Sequence, residues 1–286
     1  MFSLKVKNAQ DAEMELTGKE TVYQITKIEG LNPPKATVNI SAIAGMDGGI
    51  FNSSRLNTRN LVITIRINGD VETNRLTLYK FFRAKEKVTI YFSNASRDVF
   101  IEGYVESFEC GLFTRSEIAQ ISIICPYPYF SALDDMVTAF QTVNPLFTFP
   151  FSIASDDPVV ISEVGSNTSV MIDNESETSC GVSIEASIRK VINKLEIKNI
   201  TTGDGITLQK AFAIGDVIFI ETTPGKKNAR LVRSGVSQSL VTAITIGSVF
   251  FQLVPGDNEI AFLADNAFDA LAADLTFRYR RIYEGV

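Results

Sequence analysis

Apolar and polar residues alternate with a period of two along most of this chain, and that alternation limits its fold more than any other feature. Leu61-Val62-Ile63-Thr64-Ile65-Arg66-Ile67, Val88-Thr89-Ile90-Tyr91-Phe92, Ile101-Glu102-Gly103-Tyr104-Val105 and Ile118-Ala119-Gln120-Ile121-Ser122-Ile123 place alternate side chains on one face. A helix would scatter those groups around its axis, whereas a pleated strand gathers them on one side. Cys180 to Ile188, Lys194 to Ile200, Asp216 to Thr222, Ser248 to Leu253, Glu259 to Leu263 and Leu275 to Tyr283 read the same way. Between them stand turn signals: Thr202-Gly203-Asp204-Gly205, Pro224-Gly225 and Pro255-Gly256-Asp257-Asn258. Short strands at such intervals point to an all-β chain built of β-sandwiches.

One segment breaks the pattern. From Asp70 to Arg83, Leu78, Phe81 and Phe82 fall at helical spacing, Asp70 can cap the first amides, and Glu72 suits the positive end of the dipole. The sequence predicts one helix there, packed across a sheet. Asn266 to Asp274 carries a weaker helical spacing and is read as a loop or a turn or two.

At 286 residues the chain has room for two domains. Cys125-Pro126-Tyr127-Pro128-Tyr129-Phe130 ends a strand with two prolines that cannot continue a ladder. Asp134-Asp135, Asn144-Pro145 and Phe149-Pro150-Phe151 follow. The cut is therefore expected after residue 131, giving domains 1–131 and 132–286 that are not repeats of each other. Residues 131–150 would form a linker open to proteolysis.

Composition removes whole classes of function. The chain has no histidine, so Ser-His-Asp and Cys-His nucleophiles, the H-E-x-x-H zinc site and His-based metal sites are excluded. Cys110, Cys125 and Cys180 are odd in number and lack a C-x-x-C spacing; they read as small buried hydrophobes. Asp134-Asp135 and Asp156-Asp157 read as solvated or capping carboxylates rather than calcium ligands or a glycosidase pair. Up to Phe130 there are 15 basic against 14 acidic residues, and beyond it 12 against 19. Without a basic excess, free nucleic acid is not an expected ligand. No apolar run approaches the ~20 residues of a membrane helix. The start, MFSLKVKNAQ, lacks the pattern of a secretory signal. Cytoplasmic maturation is expected, and the Asn-x-Ser/Thr matches at Asn52, Asn94, Asn167, Asn174 and Asn199 then carry no weight.

The glycine-rich stretch GMDGGIFNSSRLNTRNLVITIRI, Gly45 to Ile67, could be a ligand cradle or a turn between strands. A phosphate cradle needs its glycines between a strand and a helix. Here Gly45, Gly48 and Gly49 precede a strand, and no helix follows until Asp70. The stretch reads instead as a turn, with positive φ at Asp47-Gly48 and Phe51 packed into the core. Arg55 and Arg59 stand close together, either as a solvated surface or as a patch that meets a partner's carboxylates.

Ala44-Gly45-Met46-Asp47-Gly48-Gly49, Phe51, Ser54-Arg55 and Arg59-Asn60-Leu61-Val62-Ile63 resemble the signature of the distal tail protein (Dit) family of long-tailed, siphovirus-type bacteriophages. The following helix and the Pro-Tyr-Phe ending at Phe130 also fit. In the second half, Leu195-Glu196-Ile197-Lys198-Asn199, Thr202-Gly203, Gly215-Asp216-Val217-Ile218, Phe250-Phe251-Gln252-Leu253, Pro255-Gly256-Asp257-Asn258 and Arg278-Tyr279-Arg280-Arg281 with Tyr283-Glu284-Gly285 resemble that family's C-terminal sandwich.

The resemblance implies a structural virion protein and not an enzyme: a ring-forming N-terminal β-sandwich and a galectin-like C-terminal one, in a homohexamer or, when isolated, a stacked dodecamer. Such a ring joins the tail tube protein to the central tail-tip protein, with receptor-binding proteins at its periphery, in a tail assembled in the host cytoplasm. DNA passes through it without being specifically bound, and no cofactor, metal or membrane is involved. Tail-like bacteriocins share the family.

A closed ring needs two different sticky surfaces. Asp47, Arg55 and Arg59 on one, with Glu102, Glu106 and Glu109 on the other, are the candidate ring interface. The alternative function is a carbohydrate-binding baseplate adhesin acting through the C-terminal domain. With no tryptophan, its candidate contacts are Tyr279 and Tyr283, beside Phe250 and Phe251.

Overall fold

The computed structural model describes residues 2–18, 21–45, 47–111, 117–140, 168–269 and 271–286, together with the backbone of 143–145 and 162–164. The fold is all-β with one α-helix. The chain divides into two compact units, Met1–Leu133 with Ile282–Val286, and Asp134–Arg281.

The first unit begins with β1 (Ser3–Asn8), β2 (Glu13–Glu15), β3 (Tyr23–Glu29), β4 (Ala36–Ala42), β5 (Gly49–Leu56) and β6 (Arg59–Ile67). The helix α1 (Val71–Phe81) precedes β7 (Lys87–Ser93), β8 (Asp98–Cys110), β9 (Ile118–Cys125) and β10 (Phe130–Ala132). Eight of these strands form, with β23 (Ile282–Tyr283), a nine-stranded sheet in the order β2-β1-β7-β8-β9-β6-β3, which β10 joins at β8 and β23 joins at β10; β4 and β5 pair separately. Alternation decides its inner face. Leu61, Ile63, Ile65 and Ile67 of β6 and Ala119, Ile121 and Ile123 of β9 are buried together in one core. The helix forms where its spacing places it: Asp70 accepts from the Thr73 amide at 3.4 Å, and Leu78, Phe81 and Phe82 enter the same core.

The second unit contains β11 (Met136–Phe140), β12 (Val143–Pro145), β13 (Ser162–Val164), β14 (Ser169–Asn174), β15 (Val182–Ile188), β16 (Ile192–Asn199) and β17 (Gly205–Phe212). It continues with β18 (Val217–Glu221), β19 (Asn228–Arg233), β20 (Val236–Ser239), β21 (Gly256–Ala264) and β22 (Ala273–Tyr279). A six-stranded sheet, β11-β22-β15-β18-β19-β20, and a four-stranded sheet, β14-β21-β16-β17, bury their apolar faces. Phe140 of one meets Phe262 of the other edge to face, with ring centroids 5.4 Å apart. Gly203, Gly225 and Gly256 take positive φ at the three signalled turns.

The last strand, β23 (Ile282–Tyr283), pairs with β10 and so belongs to the first unit. The run Leu275 to Tyr283 is therefore two strands in two units, and the last five residues leave the expected second domain. The linker expected over 131–150 narrows, since β10 ends at Ala132 and β11 begins at Met136; Phe149-Pro150-Phe151 and Asp156-Asp157 lie outside the described residues. Ser248 to Leu253 is not a ladder strand: Val249 donates to Gly205 O, and Leu253 forms only an isolated bridge with Cys180. Asn266 to Asp274 contains no helix among its described residues.

Burial holds the Cys125 and Cys180 thiols protonated, pushed up to about 12 and about 11. Cys110 opposes Ala119 while Cys125 lies beside Gly103, so although β8 and β9 are paired, the two sulfurs are far apart in register.

Candidate functional site

One piece of sheet is left uncovered by the chain that builds it. β4 and β5 pair with each other, from Ala36↔Leu56 to Ala42↔Gly49, and with no third strand. Every described residue from Ala36 to Arg55 is exposed, including Ile40 at 59% and Phe51 at 61%. Phe51 is thus outside the core that its sequence position suggested, because its strand turns away from the nine-stranded sheet and has no apolar surface to lie against.

The ladder sorts the hairpin's side chains onto two faces. Val38/Ser54, Ile40/Phe51 and Ala42/Gly49 share one, and Thr37/Arg55, Asn39/Ser53 and Ser41/Ile50 the other, which is polar apart from Ile50. A bulge at Asn39/Ile40 inserts Asn52, whose amide donates to Ser41 Oγ at 2.7 Å on the polar face. Gly49 cannot be larger, since a Cβ there would stand 2.5 Å from Ile40 Cγ2. Gly45 and Gly48 turn the tip with φ of 83° and 88°, which makes the stretch a turn. Asp47 sits exposed at that tip, and Arg55 lies exposed on the polar face. A two-stranded ribbon with an apolar face is at best marginally stable alone in water, and uncovered apolar surface of this kind marks an interface.

Arg59 overturns the expectation that it joins Arg55 in a surface patch. It is 3% exposed. Its Nε donates to Pro128 O at 2.7 Å, Nη1 to Asn32 O at 2.7 Å and to Gly30 O, and Nη2 to Glu284 O. The guanidinium lies over the Phe130 ring, 4.6 Å from its centroid. Burial lowers its pKa from the ordinary value, yet a guanidinium stays charged, and four carbonyl dipoles compensate it. Arg97 repeats the device beside it, donating to Gly285 O and covering Tyr283 at 4.4 Å. Val286 N donates to Leu31 O. Arg59 therefore ties Glu284 to the loop that leads into the hairpin and so fixes the hairpin's base, while Arg97 holds Tyr283 and Gly285 at the start of β8. The signal for this lay in the sequence as Arg59 and the terminal Tyr283-Glu284-Gly285, 225 residues from Arg59 to Glu284, but nothing in the sequence joined them.

The acidic candidates are dispersed along the outer face of β8. Glu102 is engaged with Lys87 at 2.8 Å, and Glu106 accepts from Ser122 Oγ at 2.7 Å. Glu109 is exposed. Arg55 reaches none of them within its own chain. Both tyrosine candidates for a sugar platform are otherwise occupied: Tyr279 is buried and donates to Asp173 O, and Tyr283 lies in the first unit under Arg97. Phe251 is buried, and Asp135 pairs with Arg280. Among the described residues no group of three metal-ligating side chains assembles.

Residues 17–124 match the model of the phage tail protein RIFT-related domain, and residues 175–283 that of the siphovirus-type tail component, C-terminal domain. Among curated proteins none matches. The crystal structure of the Dit protein of phage SPP1, described as a paradigm of the hub adsorption apparatus in Gram-positive infecting phages, aligns over 99% of both chains with a TM-score of 0.69 and 14% identity. The baseplate of phage p2 in its activated conformation, with Ca or with Sr, aligns over 100% of both chains with a TM-score of 0.56 and 10% identity. At these identities the structures speak for the fold, and the two family models define a phage tail component in both units. The chain belongs to the distal tail protein family of siphovirus-type phages.

Proposed function

We propose that this protein is a tail hub subunit whose copies close into a homohexameric ring through the β4–β5 hairpin. The observation that carries this reading is the amphipathic hairpin, exposed on both faces and anchored at its base by Arg59. A rotationally closed ring uses a heterologous contact, so the apolar face of Val38, Ile40 and Phe51 would seat on a different surface of the next copy. Arg55 and Asp47 would then flank that contact, with the outer face of β8, carrying Glu106 and Glu109, as a complementary surface. Glu102 contributes less, being already paired with Lys87.

In this reading the ring joins the tail tube protein to the central tail-tip protein, carries receptor-binding proteins outside, and sits in a virion tail assembled in the host cytoplasm. The near balance of charge up to Phe130 suits a lumen through which DNA slides without being held.

Light scattering of the purified protein with negative-stain imaging tests the proposal. A sixfold ring, or two such rings stacked, is expected, and Ile40→Glu with Phe51→Glu should reduce it to monomer. A wild-type monomer at high concentration that forms no ring with the tube protein would overturn the hub reading. Intact rings in the double variant would overturn the hairpin's part in it.

A further inference from the structure

The first unit contains a peptide site that its own chain fills. Ile282–Val286 reach it from beyond the second unit, and β23 adds to β10 with Phe130 opposite Tyr283 and Ser131 opposite Ile282, the way an extended peptide joins a sheet. Ile282 is buried, and Tyr283 and Val286 pack on the unit's core. Arg59 and Arg97 hold the carbonyls of Glu284 and Gly285, and Val286 N donates to Leu31 O at 3.3 Å. The fit is close at Gly285, where a Cβ would stand 3.1 Å from Pro33 Cδ and 3.2 Å from Leu31 O.

The wall that this peptide touches is the entry to the hairpin. Arg59 joins Glu284 O to Gly30 O and Asn32 O, Asn57 N donates to Lys35 O at 3.4 Å, and β4 begins at Ala36. The hairpin pairs with no third strand, so its direction is set where it leaves the unit. From this geometry we infer that the ring closes only when residues 282–286 occupy the site. The inference rests on the hairpin reading above and adds its control. A cyclic contact closes only if every copy presents it at one angle. Without the peptide, Arg59 loses one of four carbonyls, Leu31 O loses its donor, and the apolar cover of Ile282 and Tyr283 is gone. A two-stranded ribbon with its root freed in this way no longer holds one direction.

The order of synthesis gives the device its use. Residues 1–133 leave the ribosome first, and N-terminal domains fold as they emerge, but residues 282–286 follow only after the whole second unit. A chain interrupted within the second unit therefore has its hairpin and lacks the peptide that fixes it. Such a chain is kept out of rings, so that every ring position carries a second unit.

The test compares the full chain with one ending at Arg281, by light scattering and negative-stain imaging, with amide exchange of residues 30–36 as the local readout. The shortened chain should stay folded, exchange about tenfold faster over 30–36 through local opening, and form no rings. A labelled synthetic peptide of residues 280–286 should bind it, read as a rise in fluorescence anisotropy, and restore the rings; the same peptide carrying Gly285→Val should do neither. Gly285→Val in the full chain should also lose the rings, and it decides alone if the shortened chain fails to fold. Rings from the shortened chain without peptide, wild-type rings from Gly285→Val, or a peptide that binds without restoring rings would overturn the inference. The wild type separates the two failures: rings there and in the variants sink the control alone, whereas no rings there, with or without the tube protein, sink the hub reading.

Discussion

β5 and β6 are neighbours in sequence, separated by Asn57 and Thr58; β6 alternates apolar with polar residues, while β5 sets Ile50-Phe51 before four polar residues. Gly49–Leu56 is exposed almost throughout, whereas Arg59–Ile67 buries every second side chain and carries the centre of a core. Phe51 and Ile63 are large apolar residues on adjacent strands with opposite fates. A period of two states that a strand has an apolar face; it does not state what covers that face. β6 is covered by its own sheet and helix, and β5 leaves the same requirement to another molecule.

Substitutions on the two strands set this contrast in numbers, read in the first unit's urea transition at a dilution where the chain is monomeric. Ile63→Ala should cost the most, about 3 kcal/mol, through lost burial and a cavity. Arg59→Ala should follow at about 3 kcal/mol or slightly less, because four carbonyls lose a charged donor. Arg59→Lys should recover little, since an ammonium cannot reach the same fork of acceptors. Gly48→Ala at the hairpin tip should cost about 1 kcal/mol from its left-handed φ. Phe51→Ser should change the monomer's stability by less than about 0.5 kcal/mol while abolishing the ring. If it instead destabilises the monomer as Ile63→Ala does, the hairpin packs on its own chain and the contrast fails.

Proteolysis sharpens the same point at the other end of the molecule. A cut between Leu133 and Met136 should nick the chain without freeing its fragments, because β23 stays laddered to β10 and Glu284 stays bonded to Arg59. Size-exclusion chromatography of the nicked protein should show one species under native conditions and two only in denaturant. Separation without denaturant would mean that the C-terminal return is weak.

Much of this was legible in the chain. The ladder strands of both units, the helix capped by Asp70 and the glycine turns all follow from rules that act over a few residues. The family signature was legible too, in Gly45 to Ile63. The features that sequence pattern misplaces share a different cause. Arg59 resembles a surface charge because its four acceptors come from segments near 30, 128 and 284 that meet only in the folded unit. Ser248 to Leu253 resembles a strand because it is apolar, yet its amides bond to Gly205 and Cys180 outside any ladder. The row of Arg278, Ser183, Glu221 and Asn228 across β22, β15, β18 and β19 leaves no mark in the sequence, since its members become neighbours only through register.

The sequence by itself determined that this is an all-β chain with one helix, where its turns fall, and what chemistry it cannot perform without histidine. Those properties depend on local geometry and on which side chains exist at all. Tertiary structure alone decided that the C-terminus closes the first unit, that Arg59 is a buried clamp, and that Phe51 faces outward. Each of these depends on which distant surface arrives opposite a residue, and burial is a property of the pair of surfaces, which a one-dimensional pattern does not contain.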